Sequence, residues 1–185
     1  MVTKALHAVP PQITKLYNRG IKSVIPLLHG KSPGYAGWQK VTDEEAQERV
    51  WDWTGGKPIN YGIRLGQQFG GLCDIDLDSS ESKVLAKYYL PPTACFGRGG
   101  VITHYLYKQL GKNEPSKRFQ WDKRDEKSVL LEFRASGQTM GPGSVHPTTG
   151  EAIEWMCEDG MGILELDGAE LLDKVRKFAA AVLLS

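Results

Sequence analysis

Apolar and polar residues alternate through 70–78, GGLCDIDLD, which predicts a β-strand. Cys73, Ile75 and Leu77 fall on one face of that strand, and Asp74, Asp76 and Asp78 on the other. Similar patterns predict strands at 21–28, 60–66, 93–97, 101–108, 128–136 and 152–156. Pro26 marks the first of these as an edge strand or a strand end. Helical signals interrupt them. Pro10-Pro11 opens a short helix over 10–19. Thr42 and Glu45 form a capping box for a helix that runs to about Trp53 and stops at Gly55-Gly56. A third helix covers 79–90 and ends at Pro91-Pro92. Asp167, with Glu170 three residues later, opens a last helix within 165–185, whose stripe is Leu171, Leu172, Val175, Phe178, Ala179, Val182 and Leu183. The polar stretch 109–127 reads as a mobile loop, and 137–152 as turn-rich. Strands and helices interleave early and strands dominate later, which predicts an α/β or α+β fold with a mostly antiparallel sheet.

Composition narrows this picture only slightly. A chain of 185 residues fits one domain or one two-lobed unit. The last helix reaches the final residue with no C-cap, so the chain reads as a segment of a longer protein. A net charge of +1 carries no global nucleic-acid signature, so any such role needs a local patch. Cys73, Cys95 and Cys157 form no CxxC pair, which argues against zinc and fits a reducing, cytosolic compartment. Neither a signal peptide nor an 18-residue apolar run is present, so no membrane association is expected.

The candidate chemistry begins at Asp74 and Asp76. Two carboxylates on one strand face lie within roughly 7 Å of each other. Their repulsion is costly unless a cation lies between them, and hard divalent ions favour such oxygen donors. Glu132, between Leu131 and Phe133 on a predicted core strand, is either a third carboxylate or the partner of Arg134 in an internal ion pair. The planar fork of Arg134 suits phosphate. His104 and Thr103 follow the turn Gly97-Arg98-Gly99-Gly100, where glycine amides and Arg98 can meet an anion. Ser144 and His146, in the turn-rich segment, either decorate a hairpin turn or hydrogen-bond a sugar or phosphate from a loop beside the sheet. From Lys108 to Lys127 there are seven Lys/Arg against four acids, with Phe119 and Trp121 among them. That stretch is either a solvated loop or a surface for a single-stranded template.

In order, these segments are a DxD strand, a glycine turn with histidine, a strand acid with arginine, and a Ser-Val-His-Pro loop. The chain thereby resembles the N-terminal domain of bifunctional DNA primase–polymerases, in the archaeo-eukaryotic primase superfamily, over about residues 20–160. The lead-in GKSPGYAGWQKVTDEEAQ and NYGIRLG is similar as well. Three positions depart from the pattern: Ile102 stands two before His104 where a hydroxyl residue is usual, Glu132 replaces the more common Asp, and Gly141-Pro142-Gly143 precedes Ser144.

The resemblance implies a two-lobed α/β core around an RRM-like sheet and template-directed nucleotidyl transfer, as primase, polymerase or both. It implies two Mg²⁺ or Mn²⁺ ions on Asp74, Asp76 and Glu132. His104 and Arg134, with Arg98, Thr103, Ser144 and His146, would bind the incoming dNTP or NTP. Single-stranded DNA template and a primer are the implied partners, with a helicase fused or working alongside, in a bacterial, archaeal, phage or plasmid setting. Family members often need a downstream helical segment to start a primer, so elongation is expected to be more robust than initiation. The rival expectations are a catalytically silent nucleotide- or DNA-binding module, and a metal-dependent phosphodiesterase built on the same acids.

Overall fold

The alternating segments pair into two largely antiparallel sheets, and the computed structural model describes residues 11–28, 30–46 and 60–185. In chain order the elements are α1 (Pro11–Asn18), β1 (Val24–Leu27), β2 (Asn60–Arg64), β3 (Leu72–Leu77), α2 (Ser80–Tyr89), β4 (Cys95–Arg98) and β5 (Val101–Leu110). There follow β6 (Lys117–Gln120), β7 (Val129–Arg134), β8 (Gln138–Met140), β9 (Glu154–Trp155), β10 (Leu164–Asp167) and α3 (Gly168–Leu184). The small sheet has the order β1-β2-β8, and Pro26 lies on its edge strand as expected. The large sheet runs β6-β7-β3-β5-β4-β9. At ten residues, β5 is long enough to pair antiparallel with β4 along its first half and parallel with β10 along its last four residues. The architecture is a mixed, mostly antiparallel α+β fold.

Local chemistry starts the helices. The Ser79 hydroxyl accepts from the Ser82 amide and caps α2. Asp167 accepts from the amides of Ala169 and Glu170 and caps α3. The Thr42–Glu45 capping box closes in both directions, at 2.9 and 3.1 Å. The helix that it opens is described only to residue 46, so its expected end near Trp53 and Gly55-Gly56 lies outside the described residues, as does Pro10.

Three elements differ from expectation. The stretch 109–127 is not a loop throughout, because β5 extends to Leu110 and β6 forms at Lys117–Gln120 against β7. Only Phe119 in β6 is apolar, so alternation left no signal there. A third strand of the small sheet, β8, forms within the turn-rich segment. The last helix begins at Gly168, and the residues just before it form β10.

Helices α2 and α3 pack on one face of the large sheet, where Cys73, Ile75, Leu131 and Phe133 meet Leu171, Val175 and Phe178. Burying each such side chain contributes about 1.5–3 kcal/mol, so packing rather than propensity holds α3 in place. On the other face, Leu72, Phe96 and Leu106 meet Ile13 and Leu16 of α1 and Val24 and Ile63 of the small sheet. Asp74 and Asp76 share this second face with Leu72, by the two-residue period of β3. No helix among the described residues is long and apolar enough to cross a membrane.

Candidate metal and nucleotide centre

Strand register assembles the centre. Asp76 on β3 lies opposite His104 on β5 and opposite Glu132 on β7. Beyond them, Arg118 on β6 faces Glu132, and Phe96 on β4 faces both His104 and Trp155 of β9. One row of side chains therefore crosses the large sheet. At its apolar end Phe96 stacks on the His104 ring at 4.6 Å, and Trp155 meets Phe96 edge-on at 5.8 Å. These contacts fix the plane of the imidazole. In the next row Asp74 lies opposite Arg134 on one side and Leu106 on the other.

His104 Nδ1 lies 3.2 and 3.0 Å from the two Asp74 oxygens and 3.6 Å from Asp76 Oδ1. Arg134 Nη1 lies 3.4 Å from Asp76 Oδ2 and 3.8 Å from Asp74 Oδ2, while Nη2 donates to the Gln138 carbonyl. The internal Glu132–Arg134 pair is therefore not what forms. One ligand atom from each of Asp74, Asp76 and His104 falls within 4.8 Å of the others, an arrangement able to hold a metal ion.

The charges of the group act strongly on one another. Burial pushes the Asp74 carboxyl up, but His104 and Arg134 outweigh it and hold the group below its ordinary value. Asp76 is raised, first by burial and then by the charge of Asp74, with Glu132 adding to it. Asp78 is pushed up to about 6 by burial and by Asp76 and Glu132. Burial opposes protonation of His104, yet Asp74 and Asp76 raise it on balance. An added cation would relieve the crowding that raises Asp76.

Glu132 stands outside the group of three. Its Oε1 accepts from Arg118 Nε at 2.6 Å, on the half-exposed outer side of the row. Asp78 also lies on the acid face, at the strand end, as the alternation predicts.

A cleft of about 340 Å³ lies above the cluster, with Asp76, Arg98, Thr103, His104, Arg134 and His146 in its wall. A register shift between Phe96 and Gly97 leaves Thr103 without an opposite residue and brings it into the wall beside His104. Gly97 is required at this crossing, because a Cβ there would overlap the Val101 carbonyl oxygen. The Thr103 hydroxyl is buried and has no partner among the described residues. His146 Nδ1 is within 3.3 Å of the Thr149 amide that donates to it, and burial, with Lys31 and Arg98 nearby, lowers its pKa. Gly99 and Gly100 have φ of 58° and 76° and close the β4–β5 turn, so their presence follows from backbone geometry. Of that turn, Arg98 reaches the cleft.

Ser144 is elsewhere. Its hydroxyl accepts from the Tyr61 amide at 2.9 Å and is buried against β2, facing a separate groove of about 560 Å³ between α1 and the 142–153 hairpin. Lys31 and Lys83, which sequence reasoning passed over, line the cleft. Arg64 was also missed. It is fully buried and donates to Ser23 Oγ, to the Trp38 and Val41 carbonyls and to Asp43, tying the segment 38–43 to β2. An arginine inside the apolar run NYGIRLG was the available signal.

The profile of the Prim-Pol family, bifunctional DNA primase/polymerase, N-terminal, matches residues 14–171. That span runs from within α1 to the first turn of α3 and includes every residue of the centre. A search of the curated proteins returns no match.

Proposed function

The chain belongs to the bifunctional DNA primase/polymerase N-terminal family, and from that premise we propose that it is a template-directed nucleotidyltransferase that adds nucleotides to a 3′-hydroxyl. The observation that carries this reading is the Asp74–Asp76–His104 group at the base of a cleft whose wall holds Lys31, Lys83, Arg98 and Arg134. Carboxylates able to take a hard cation, beside four cations able to take phosphate, are the two halves of a phosphoryl-transfer site.

Asp74, Asp76 and His104 would hold a divalent ion, Mg²⁺ or Mn²⁺, with Glu132 the further carboxylate for a second, and such ions activate the attacking hydroxyl and stabilise the leaving pyrophosphate. The buried Asp74, held charged by His104 and Arg134, keeps the donor set fixed before substrate arrives. Arg134 is anchored to the Gln138 carbonyl, so its Nη1 is presented at the aspartates with little freedom left to lose. With His104 Nδ1, the nitrogen turned toward the acids, given to the ion, the Nε2–H is the group left to donate to a phosphate oxygen. Arg98, Lys31 and Lys83 supply further positive charge for a triphosphate, and the Thr103 hydroxyl a neutral donor. Catalysis then rests on alignment and charge stabilisation more than on proton transfer by the protein.

The test is a gel assay with a labelled primer on a longer template, with each nucleotide set, in Mg²⁺ and in Mn²⁺. Stepwise lengthening that follows the template sequence is expected. Shortening of the labelled strand would assign the same acids to a phosphodiesterase. An unprimed reaction in parallel measures initiation, which is expected to be weaker than extension.

A further inference from the structure

The acid-bearing face of the large sheet continues past Asp76 to the β6 edge. The small sheet packs over Leu72, Phe96 and Leu106 on the other side of the row. Toward β6, Arg118 is half exposed and Trp121 is 66% exposed. Two further depressions lie there, of about 600 and 300 Å³. Asp78 borders both the nucleotide cleft and the larger depression, and Arg134 borders both the cleft and the smaller one. Arg118 and Glu132 border both depressions. The three hollows therefore form one trough from the acids to the sheet edge.

Trp121 stands at the outer end of that trough, and its position is built. Its amide donates to the Ser128 carbonyl, and Ser128 Oγ donates to the Asp122 carbonyl, closing the turn that follows β6. A large indole held in the open by an ordered turn gains little from folding, and is suited to stacking on a flat partner. From β3 to β6 is two strand spacings, about 10 Å.

We propose that the β6 edge receives the single-stranded DNA on which the centre works, with Trp121 stacking on a base and Arg118 taking a backbone phosphate. This rests on the nucleotidyl-transfer reading and names the surface that serves it. Lys127 adds a cation on the same rim. Asp78, Glu81, Glu126 and Glu132 line the same depression and oppose phosphate, and Glu132 already holds Arg118 Nε, which leaves the guanidinium's Nη groups for a phosphate oxygen. Affinity here therefore comes from stacking and from a few discrete cations, not from a continuous basic stripe.

The experiment is fluorescence anisotropy of a labelled single-stranded DNA oligonucleotide in EDTA over a range of salt, with no nucleotide present. Trp121→Ala is expected to weaken binding about tenfold, and Trp121→Phe to recover most of the loss. Arg118→Ala is expected to reduce the slope of log affinity against log salt by about 0.7. In extension assays Trp121→Ala should raise KM for primed template while leaving KM for the nucleotide unchanged. Circular dichroism and the thermal midpoint of each variant report whether the fold is intact. If the parent extends primers while both variants bind the oligonucleotide as the parent does, with the same salt slope, the surface is wrong and the activity stands. If the parent neither binds nor extends, both readings fall.

Discussion

Asp76 and Glu132 face each other across adjacent strands, yet their surroundings have little in common. Asp76 shares a mostly buried space with Asp74, His104 and Arg134, and its carboxyl is raised by burial and by neighbouring charge. Glu132 lies one strand out and is matched by Arg118 at 2.6 Å in partly solvated surroundings. The inner group holds two carboxylates that crowd each other, and the outer pair is locally neutral. Burial and cross-strand partners, more than the acids' order in sequence, decide which carboxylates are under pressure to take a cation.

Asp74→Ala breaks the inner group most severely. Incorporation should fall by about a hundredfold or more, since a site that works by fixed charge loses its innermost donor. Stability should fall as well, on the order of 1–3 kcal/mol, because His104 Nδ1 and Arg134 lose a fully buried partner. Incorporation rate and the urea midpoint measure the two losses separately. Glu132→Gln sharpens the contrast. It should reduce incorporation by about tenfold, at the lower end for a charged group aimed at reacting oxygens, yet barely change the thermal midpoint. A large drop in midpoint would mean that the outer pair is structural.

The pH dependence of the cation-free protein reads the crowding directly. Asp78 is raised from 3.8 to about 6, so the folded chain keeps a proton that the unfolded chain releases. Its contribution to stability is therefore lost as pH rises from 3.8 through about 6. Asp76 is raised too and acts in the same direction. His104 is raised above 6.5, so the stability it lends is complete below 6.5 and is lost as pH rises through its higher folded value. Asp74 is lowered, and its contribution is lost only at acid pH, below its ordinary value of 3.8. The thermal midpoint should therefore fall as pH rises from about 5 to about 8, and added Mn²⁺ should cancel most of that fall. A midpoint that rises over this range, or does not respond to Mn²⁺, would contradict the inner-group account. The smallest effect is expected away from the row. Ser144→Ala should cost about 1 kcal/mol through its lost bonds to Tyr61 and leave KM for the nucleotide unchanged.

The inner group was largely legible in the sequence. Alternation placed Asp74 and Asp76 on one strand face, and His104 and Arg134 stood out as basic residues inside apolar runs. The outer region was not. Three of the four β6 residues are polar, and the strand is defined by pairing with β7 rather than by its own pattern. The Arg118–Glu132 pair depends on that register, so nothing local announced it. Thr103 reaches the cleft through a register shift that strict alternation cannot foresee. Ser144 was misplaced for the converse reason: a hydroxyl in a turn reads as available, whereas backbone groups of Tyr61, distant in sequence, take it. Lys31 and Lys83 join the cleft from segments on either side of β2 and β3, and only tertiary packing brings them together.

The central claim is that the buried aspartates bind the cation on which nucleotide addition depends. Single-nucleotide incorporation on a primed template, followed across a Mn²⁺ titration in the parent and in Asp76→Asn, tests it most directly. The account predicts a saturable rise with Mn²⁺ in the parent, silence in EDTA, and in the variant little incorporation at any Mn²⁺ concentration. Incorporation that persists in EDTA, or an Asp76→Asn curve that overlays the parent's, would contradict it.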